Sequence, residues 1–379
     1  MKFRAYVIFF LLFGVLSDIY TCLLFLPVLW DIIICIPTLA ALVCLFFIGA
    51  GVRYTPSLRL FSYIIFIFEF PKFIFMLFSS IGIFLLGIPR GPGAWIAFGV
   101  GAGVSMFFSY LIFYSTRHLK VHEQELAFEG LPKEFDGLRI CQLTDFHLGS
   151  FGKRAAYISR IVDETLAQKP DVILFTGDLV NFEAAEAESY LDVLARLEAP
   201  YGVFAIRGNH DYLLHGHHNE EERKADTEKL HSMETGLGWT VLLNQNILLK
   251  KDGAAIALVG VENVSTNPYF LKMGGDLKKA MEGLPEGIFT ILMSHDPSHW
   301  RREVVPSSDI SLTLSGHTHG LKYKLAGLKP SHWKLPESSG IYTEGAQVLH
   351  VSKGLGSAFA FRLGGFPNID IITLRTKTL

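Results

Sequence analysis

Between Tyr6 and Tyr114 the chain carries almost no charge, and no other feature constrains its folding as much. Four apolar runs fill this stretch, near Tyr6–Phe25, Leu29–Ala50, Phe61–Leu86 and Ala94–Tyr114. Each has about the 20 apolar residues that a bilayer crossing needs. Arg53 and Arg59 separate the second run from the third, and Ile88-Pro89-Arg90-Gly91-Pro92-Gly93 separates the third from the fourth. A cleaved leader would be one short run ending in small residues, which is a different pattern. The expectation is an all-α transmembrane segment over residues 1–116 with about four helices. The first two runs nearly touch, so three spans plus an interfacial segment is the alternative.

Loop charges set the orientation. With four spans, Lys2, Arg4, Arg53, Arg59, Arg117 and Lys120 fall on one side and only Arg90 on the other. Positive residues stay in the cytoplasm, which places both termini there in a multi-pass protein of the inner (cell) membrane. Asp18, Glu69 and Lys72 lie inside the apolar runs, where charge is costly and often functional. Glu69 and Lys72 are three apart around Pro71 and could pair on a kinked helix. The plain reading is a structural pair, or a helix end that lets Lys72 reach the interface. The sharper reading is a transport or substrate role.

The length of 379 residues suits two units. Half of the chain is hydrophobic and only 18% is charged, with a mean hydropathy of +0.34. Those values exclude a disordered chain and a wholly soluble one. A net charge of −2 gives no basic field, so no nucleic acid is expected as a partner. Of the four cysteines, Cys22, Cys35 and Cys44 lie in apolar runs and Cys141 stands alone. That excludes a disulfide scaffold, and the absence of any CxxC excludes a zinc ribbon.

From Arg117 onward the composition changes. Residues 117–137 read as a linker and lead-in, with Ser115–Glu123 polar and basic, and 138–379 as one domain. Leu138–Thr144, Val172–Thr176 and Val203–Arg207 read as buried strands, with helices near Ala155–Ala167 and Ala184–Leu197. Later strands are expected at Val241–Leu243, Ala255–Val261, Thr290–Ser294, Ile310–Ser315, Val348–Ser352 and Ile369–Thr373. The pattern is that of an α/β layered domain with two sheets.

The polar residues of interest follow directly on the apolar strands. They are Asp145-Phe146-His147, Gly177-Asp178, Gly208-Asn209-His210-Asp211, Ser294-His295-Asp296 and Ser315-Gly316-His317-Thr318-His319. In an open α/β sheet the carboxyl ends of strands form the ligand crevice, so five strand ends converge on one place. Asp178 offers two oxygens and can bridge cations, Asn209 adds a neutral oxygen, and His295, His317 and His319 add imidazole nitrogens. That mixed set suits manganese first, with iron, zinc or magnesium as alternatives, rather than calcium. Two such ions about 3.5–4 Å apart can hold a hydroxide and clamp a phosphoryl group.

The order Asp-x-His, Gly-Asp, Gly-Asn-His-Asp, His, Gly-His-x-His resembles the calcineurin-like metallophosphoesterases, from roughly Leu138 to His319. The tail Leu349-His350-Val351-Ser352-Lys353-Gly354-Leu355-Gly356, then Arg362 and Ile371–Leu374, is similar to their membrane-anchored bacterial branch. The resemblance implies a four-layer α/β–β/α sandwich and two divalent metals. One would be held by Asp145, His147, Asp178 and His319. The second would be held by Asp178, Asn209, His295 and His317, with Asp178 bridging. His210 matches the histidine that touches the substrate phosphate, and Asp211 the residue expected to orient it. One departure is that Gly320 is followed by Leu321-Lys322-Tyr323, where the anchored branch continues Gly-Gly-Gln.

Other features carry plainer readings. His215-Gly216-His217-His218 looks like a metal tract but precedes Asn219-Glu220-Glu221-Glu222 and reads as an exposed loop. His299 and Trp300 read as packing, and Cys141 as a small buried hydrophobe. In Phe359-Ala360-Phe361-Arg362-Leu363-Gly364-Gly365-Phe366, Arg362 either meets a substrate phosphate beside an apolar lip or closes the core. The function expected is a membrane-anchored phosphoesterase acting on a lipid-linked substrate such as a UDP-diacylglucosamine-like molecule, with the lipid bilayer as partner. A nucleotide or cyclic-nucleotide substrate is the runner-up. A non-catalytic receptor or transporter subunit is the second alternative.

Overall fold

Helices that expose apolar side chains face something other than water, and the N-terminal helices do so along their length. The computed structural model describes residues 2–24, 28–51, 54–152, 154–214, 216, 219–265, 273–319, 336–357, 362 and 365–377. The chain divides after Thr116 into two compact units. In the first, among the described residues, four helices are long and apolar enough to cross a membrane: Tyr6–Leu24, Ile32–Gly49, Thr55–Leu85 and Arg90–Arg117. Leu23, Phe46, Leu85, Trp95 and Met106 point outward from them, the reverse of a helix on a water-soluble core. The third helix starts earlier than its apolar run because Thr55 and Ser57 are themselves buried. π-helical turns interrupt the first at Phe10–Val15 and the third at Ile65–Glu69 and Ile81–Leu85. Arg53 lies outside the described residues.

Among the described residues, the second unit holds two six-stranded sheets. In chain order the strands are β1 Lys120–Phe128, β2 Arg139–Leu143, β3 Val172–Phe175, β4 Val203–Ala205, β5 Thr240–Val241, β6 Gln245–Lys251, β7 Ala254–Gly260, β8 Thr290–Met293, β9 Leu312–Ser315, β10 Gly340–Glu344, β11 Gln347–Val351 and β12 Asn368–Thr376. One sheet runs β1-β12-β2-β3-β4-β5 and the other β10-β11-β9-β8-β7-β6. Strands β2, β3, β4 and β5 are parallel, as are β7, β8, β9 and β11. Residues expected to be linker are therefore partly sheet. Lys120–Phe128 pairs in parallel with the C-terminal strand, Lys120 opposite Asn368 and Phe128 opposite Thr376.

Alternation along each strand builds the layers. Ile140, Val172, Leu174 and Phe204 from the first sheet pack with Ile256, Leu258, Ile291, Met293 and Leu314 from the second. On the other face of the first sheet, Cys141, Leu143, Ile173 and Phe175 meet Ile158, Ile161 and Val162 of the helix Ala155–Ala167. Val259, Leu292, Leu349 and Val351 meet Leu277, Ala280, Trp300 and Val304 behind the second sheet. The result is the expected four-layer α/β–β/α sandwich.

Several elements differ from expectation, among them the strands β6 and β10, which were not expected. The region 184–197 forms two short helices, Ala185–Glu188 and Leu191–Leu194, rather than one. Asn219 marks the start of a helix that was not expected. It caps the helix Glu220–Gly236, accepting from the Glu222 backbone N–H at 2.9 Å while Glu222 reaches back to the Asn219 N–H. His215, His217 and His218 lie outside the described residues.

Candidate metal centre

Parallel strands put their carboxyl ends on one edge, and both sheets do so toward the same place. The loops after β2, β3 and β4 interlock there through the backbone: Asp145 N–H donates to Gly177 O at 2.9 Å and His147 N–H to Asp178 O at 3.1 Å. From the second sheet the His317 N–H donates to Asp145 Oδ2 at 3.0 Å. Five of the nine non-glycine residues with positive φ among the described residues are Asp145, His147, Asp178, His317 and His319, at 50–70°. A left-handed backbone costs free energy at such residues and survives where surrounding contacts impose it. It also explains how Asp145 and His147, two apart, both turn inward.

Glycine makes the crossing of the loops possible. Gly177 has φ of +95°, and a Cβ there would stand 2.4 Å from Gly208 N. A Cβ on Gly208 would stand 2.2 Å from Asp178 Oδ1. The two loops cross this closely because neither glycine carries a side chain.

The side chains form overlapping clusters: Asp145, His147 and His319; Asp178, His295 and His317; and His147, Asp178 and His210, with candidate ligand atoms within 4.8 Å of one another. Asp178 Oδ2 lies 3.5 Å from His147 Nε2 and 3.2 Å from His295 Nε2. It is thus the oxygen shared between the two sides. Asp145 Oδ1 lies 3.7 Å from Nε2 of both His147 and His319. The separations of 3.5 and 3.7 Å are long for hydrogen bonds, and all four fit atoms that share an ion held at about 2.0–2.2 Å.

Hydrogen bonding around the rings fits a metal. His295 Nδ1 lies 2.8 Å from Thr176 O, and a carbonyl can only accept, so the proton is on Nδ1 and the Nε2 lone pair faces inward. His147 does the same through Nδ1 to Asn181 Oδ1 at 3.1 Å. Fixing the outer nitrogen this way is what ligand histidines require. Among the described residues, Asp145 Oδ1, His147 Nε2, Asn209 Oδ1 and His295 Nε2 are buried without a hydrogen-bond partner, which is costly unless something else meets them.

Electrostatics agree. Burial opposes charge on Asp178, yet His295 and His210 hold its carboxyl well below the ordinary range. Burial opposes charge on His295 too, but Asp178 and Asp145 push it up to about 10. Burial takes His319 the other way, to about 3, against Asp145. The carboxylates draw positive charge onto His295 against its burial, and divalent cations would meet that demand.

Residues 138–321 match the family model for calcineurin-like phosphoesterases. The C-terminal unit is a calcineurin-like phosphoesterase domain. Matches of this kind support a metal-dependent phosphoester hydrolase, of a family that generally uses two divalent metals. It is 27% identical over 280 residues to the metallophosphoesterase YkuE of Bacillus subtilis (strain 168), covering 71% of this chain and 90% of that one. It is 30% identical over 202 residues to a transmembrane protein with metallophosphoesterase domain of Bos taurus, covering 52% of this chain and 43% of that one. A metallophosphoesterase of Helicobacter pylori (strain J99) is 32% identical over 204 residues, with 53% and 48% covered. The chain thus spans less than half of the cattle and Helicobacter relatives.

Two expected roles change. Asp211 does not orient the His210 ring: its carboxylate accepts the backbone N–H of Asp178 at 2.7 Å, Leu179 at 2.8 Å, Gly208 at 2.9 Å and Val180 at 3.3 Å. It binds the β3 and β4 loops together, and burial together with Asp178 pushes it up to about 6. His210 is set instead by Nδ1, which donates to Asn181 O at 2.8 Å. Arg362 is buried, and its guanidinium donates to the carbonyls of Gly356, Lys353 and Gly365. It organises the loop after β11, whose Gly356 N–H meets Asp145 O at 2.6 Å, which favours the core-closing one of its two readings.

Sequence reasoning missed Asn181, which serves both His147 and His210 and itself donates to Ser150 Oγ at 2.9 Å. It also missed Asp296, which is buried, accepts from Ser265 Oγ at 2.6 Å and faces His317 Nε2 at 3.8 Å. Position alone hinted at both, three residues after Asp178 and one after His295. His299 is buried and pairs through Nδ1 with Ser294 Oγ at 2.8 Å, and Cys141 is buried. Leu321, Lys322 and Tyr323, and Phe359, Ala360, Phe361, Leu363 and Gly364, lie outside the described residues.

Proposed function

We propose that this protein is a membrane-anchored dinuclear phosphoesterase that cleaves a phosphodiester or pyrophosphate bond in a lipid-linked substrate, such as a UDP-diacylglucosamine-like molecule. The observation that carries the reading is Asp178 Oδ2 placed between His147 on one side and His295 on the other. One cation would be held by Asp145, His147, Asp178 and His319, and the second by Asp178, Asn209, His295 and His317. When bound, such a pair supplies positive charge to the phosphoryl oxygens and eases deprotonation of water.

The chain's own residues do the remainder. His210, with Nδ1–H committed to Asn181 O, presents Nε2 to the site and in its charged form can donate a proton to the departing oxygen. Asp211 holds the two loops so that Asp178 and Asn209 keep their places. Four apolar helices and the loop-charge asymmetry favour a cytoplasmic-facing enzyme whose substrate carries acyl chains.

The test is turnover by the purified protein with Mn²⁺ on lipid-linked and nucleotide phosphodiesters. Hydrolysis of the lipid substrates is expected. Turnover confined to nucleotides or cyclic nucleotides overturns the lipid assignment. His210→Ala should lose about 10²–10⁴-fold in rate while still binding metal, and an unchanged rate would favour a receptor or transporter subunit.

A further inference from the structure

Three charged side chains and a threonine meet inside the helical bundle of the N-terminal unit. Asp18 lies on the helix Tyr6–Leu24, Thr38 on Ile32–Gly49, and Glu69 and Lys72 on Thr55–Leu85. Lys72 Nζ stands 2.5 Å from Asp18 Oδ1 and 2.7 Å from Glu69 Oε2. It also reaches the Ile34 carbonyl at 3.2 Å and Thr38 Oγ1 at 3.1 Å. The Thr38 hydroxyl is 2.5 Å from Asp18 Oδ2 and 3.2 Å from Glu69 Oε2. Asp18, Thr38 and Glu69 are buried, Glu69 completely.

The surroundings add little charge. Cys35 faces Asp18, with Cys22 beside it. On the fourth helix Gly101 packs on the Pro71 carbonyl and Ser105 donates to the Ile67 carbonyl at 2.8 Å, neither of them titratable. On the first helix Gly14 leaves room, since a Cβ there would stand 3.1 Å from Glu69 Oε2. Among the described residues the balance is two carboxyls against one ammonium. Fully ionised, that leaves one uncompensated negative charge inside an apolar bundle, which is strongly unfavourable.

Counting hydrogens shows what would restore balance. Lys72 has three to give and Thr38 one, yet the contacts above are six. Among the described residues, Glu69 Oε1 is buried without a hydrogen-bond partner. The cluster is short of hydrogens. A metal cation brings none and would have to sit beside an ammonium already in the cation position. A proton on Glu69 removes the surplus charge and turns its approach to Thr38 into a hydrogen bond. Both acids also adjoin π-helical turns, Glu69 closing Ile65–Glu69 and Asp18 following Phe10–Val15. Such turns are frequent at functional sites.

We propose that Asp18, Thr38, Glu69 and Lys72 form a proton-binding site within the helical bundle, with one exchangeable proton carried by Glu69.

The test is infrared difference spectroscopy of the full chain in phosphatidylcholine–phosphatidylglycerol nanodiscs, titrated from about pH 5 to pH 9. Wild type should show a protonated-carboxyl C=O band that is missing from Glu69→Gln. Asp18→Asn should lose the band as well, although Glu69 is intact, because Lys72 alone then balances Glu69. This second variant keeps the test informative if Glu69→Gln fails to fold. No such band in wild type, its persistence in Glu69→Gln, or its persistence in Asp18→Asn overturns the proposal. So does a thermal stabilisation of wild type by Na⁺ at constant ionic strength that Glu69→Gln abolishes, which would make this a sodium site.

Discussion

Replacing Asp211 with alanine separates two ways in which a carboxylate beside His210 can act. Four backbone N–H groups converge on it, from Asp178, Leu179, Val180 and Gly208. A hydrogen bond to a charged group contributes about 1.5–3 kcal/mol, and a buried donor left unmet costs about 1–3 kcal/mol. Simple summation overshoots, because burial beside Asp178 already pushes the Asp211 carboxyl up to about 6 and the loops can relax. A net loss of roughly 3–5 kcal/mol is expected, the range for breaking a buried charged network. Asp211→Asn keeps one acceptor oxygen and should lose roughly 1–3 kcal/mol. The same slippage moves Asp178 and Asn209, so affinity for Mn²⁺ should fall about 10–100-fold, as when groups supporting metal ligands are removed. Thermal unfolding and the Mn²⁺ dependence of turnover read both effects. If Asp211→Ala keeps wild-type stability and metal affinity and loses only rate, as His210→Ala should, then Asp211 serves the imidazole and the backbone role is refuted.

Asn181→Ala removes the acceptor from His147 Nδ1 but leaves the backbone carbonyl that holds His210. Metal content by mass spectrometry should fall about 10–100-fold at limiting Mn²⁺, with rate recovered by excess metal. Gly208→Ala places a Cβ 2.2 Å from Asp178 Oδ1; it should destabilise the domain by about 1–3 kcal/mol in denaturant unfolding and abolish turnover. Glu234 is buried with neither carboxylate oxygen partnered, and burial, with Asp211 adding and Arg207 opposing, pushes it up to about 8 from 4.5. Its folded value is raised, so its stability contribution is complete below about pH 4.5 and is lost as pH rises to about 8, because the unfolded chain ionises first. Glu234→Gln should flatten that decline in a pH series of unfolding curves and exceed wild type at pH 8 by an amount on the order of a few kcal/mol.

The clusters were legible in the sequence because each candidate ligand follows an apolar strand, and strand ends are the part of an α/β sheet that periodicity locates best. Strand β1 was not legible. Its sequence Lys-Val-His-Glu-Gln-Glu-Leu-Ala-Phe is polar because it is an edge strand, buried only at Leu126 and Phe128. The helix Glu220–Gly236 hid for a related reason: only Leu230 and Glu234 are buried, so it has almost no apolar stripe, and the capping pair Asn219 and Glu222 was its one local signal. The role of Asp211 was obscured because neighbours in a tight loop point in different directions, His210 toward Asn181 and Asp211 toward the β3 loop. A backbone carbonyl such as Asn181 O leaves no trace in a sequence at all. Arg362 looked available for phosphate because its partners are carbonyls of its own loop, which residue type does not reveal.

The claim beneath these readings is that Asp178 stands between two cations. Anomalous diffraction from crystals grown with Mn²⁺, recorded on both sides of the manganese edge, tests it directly. The expected map has two peaks about 3.5–4 Å apart, one among Asp145, His147 and His319, the other among Asn209, His295 and His317, with Asp178 contacting both. A single peak, or two peaks of which only one touches Asp178, would contradict it.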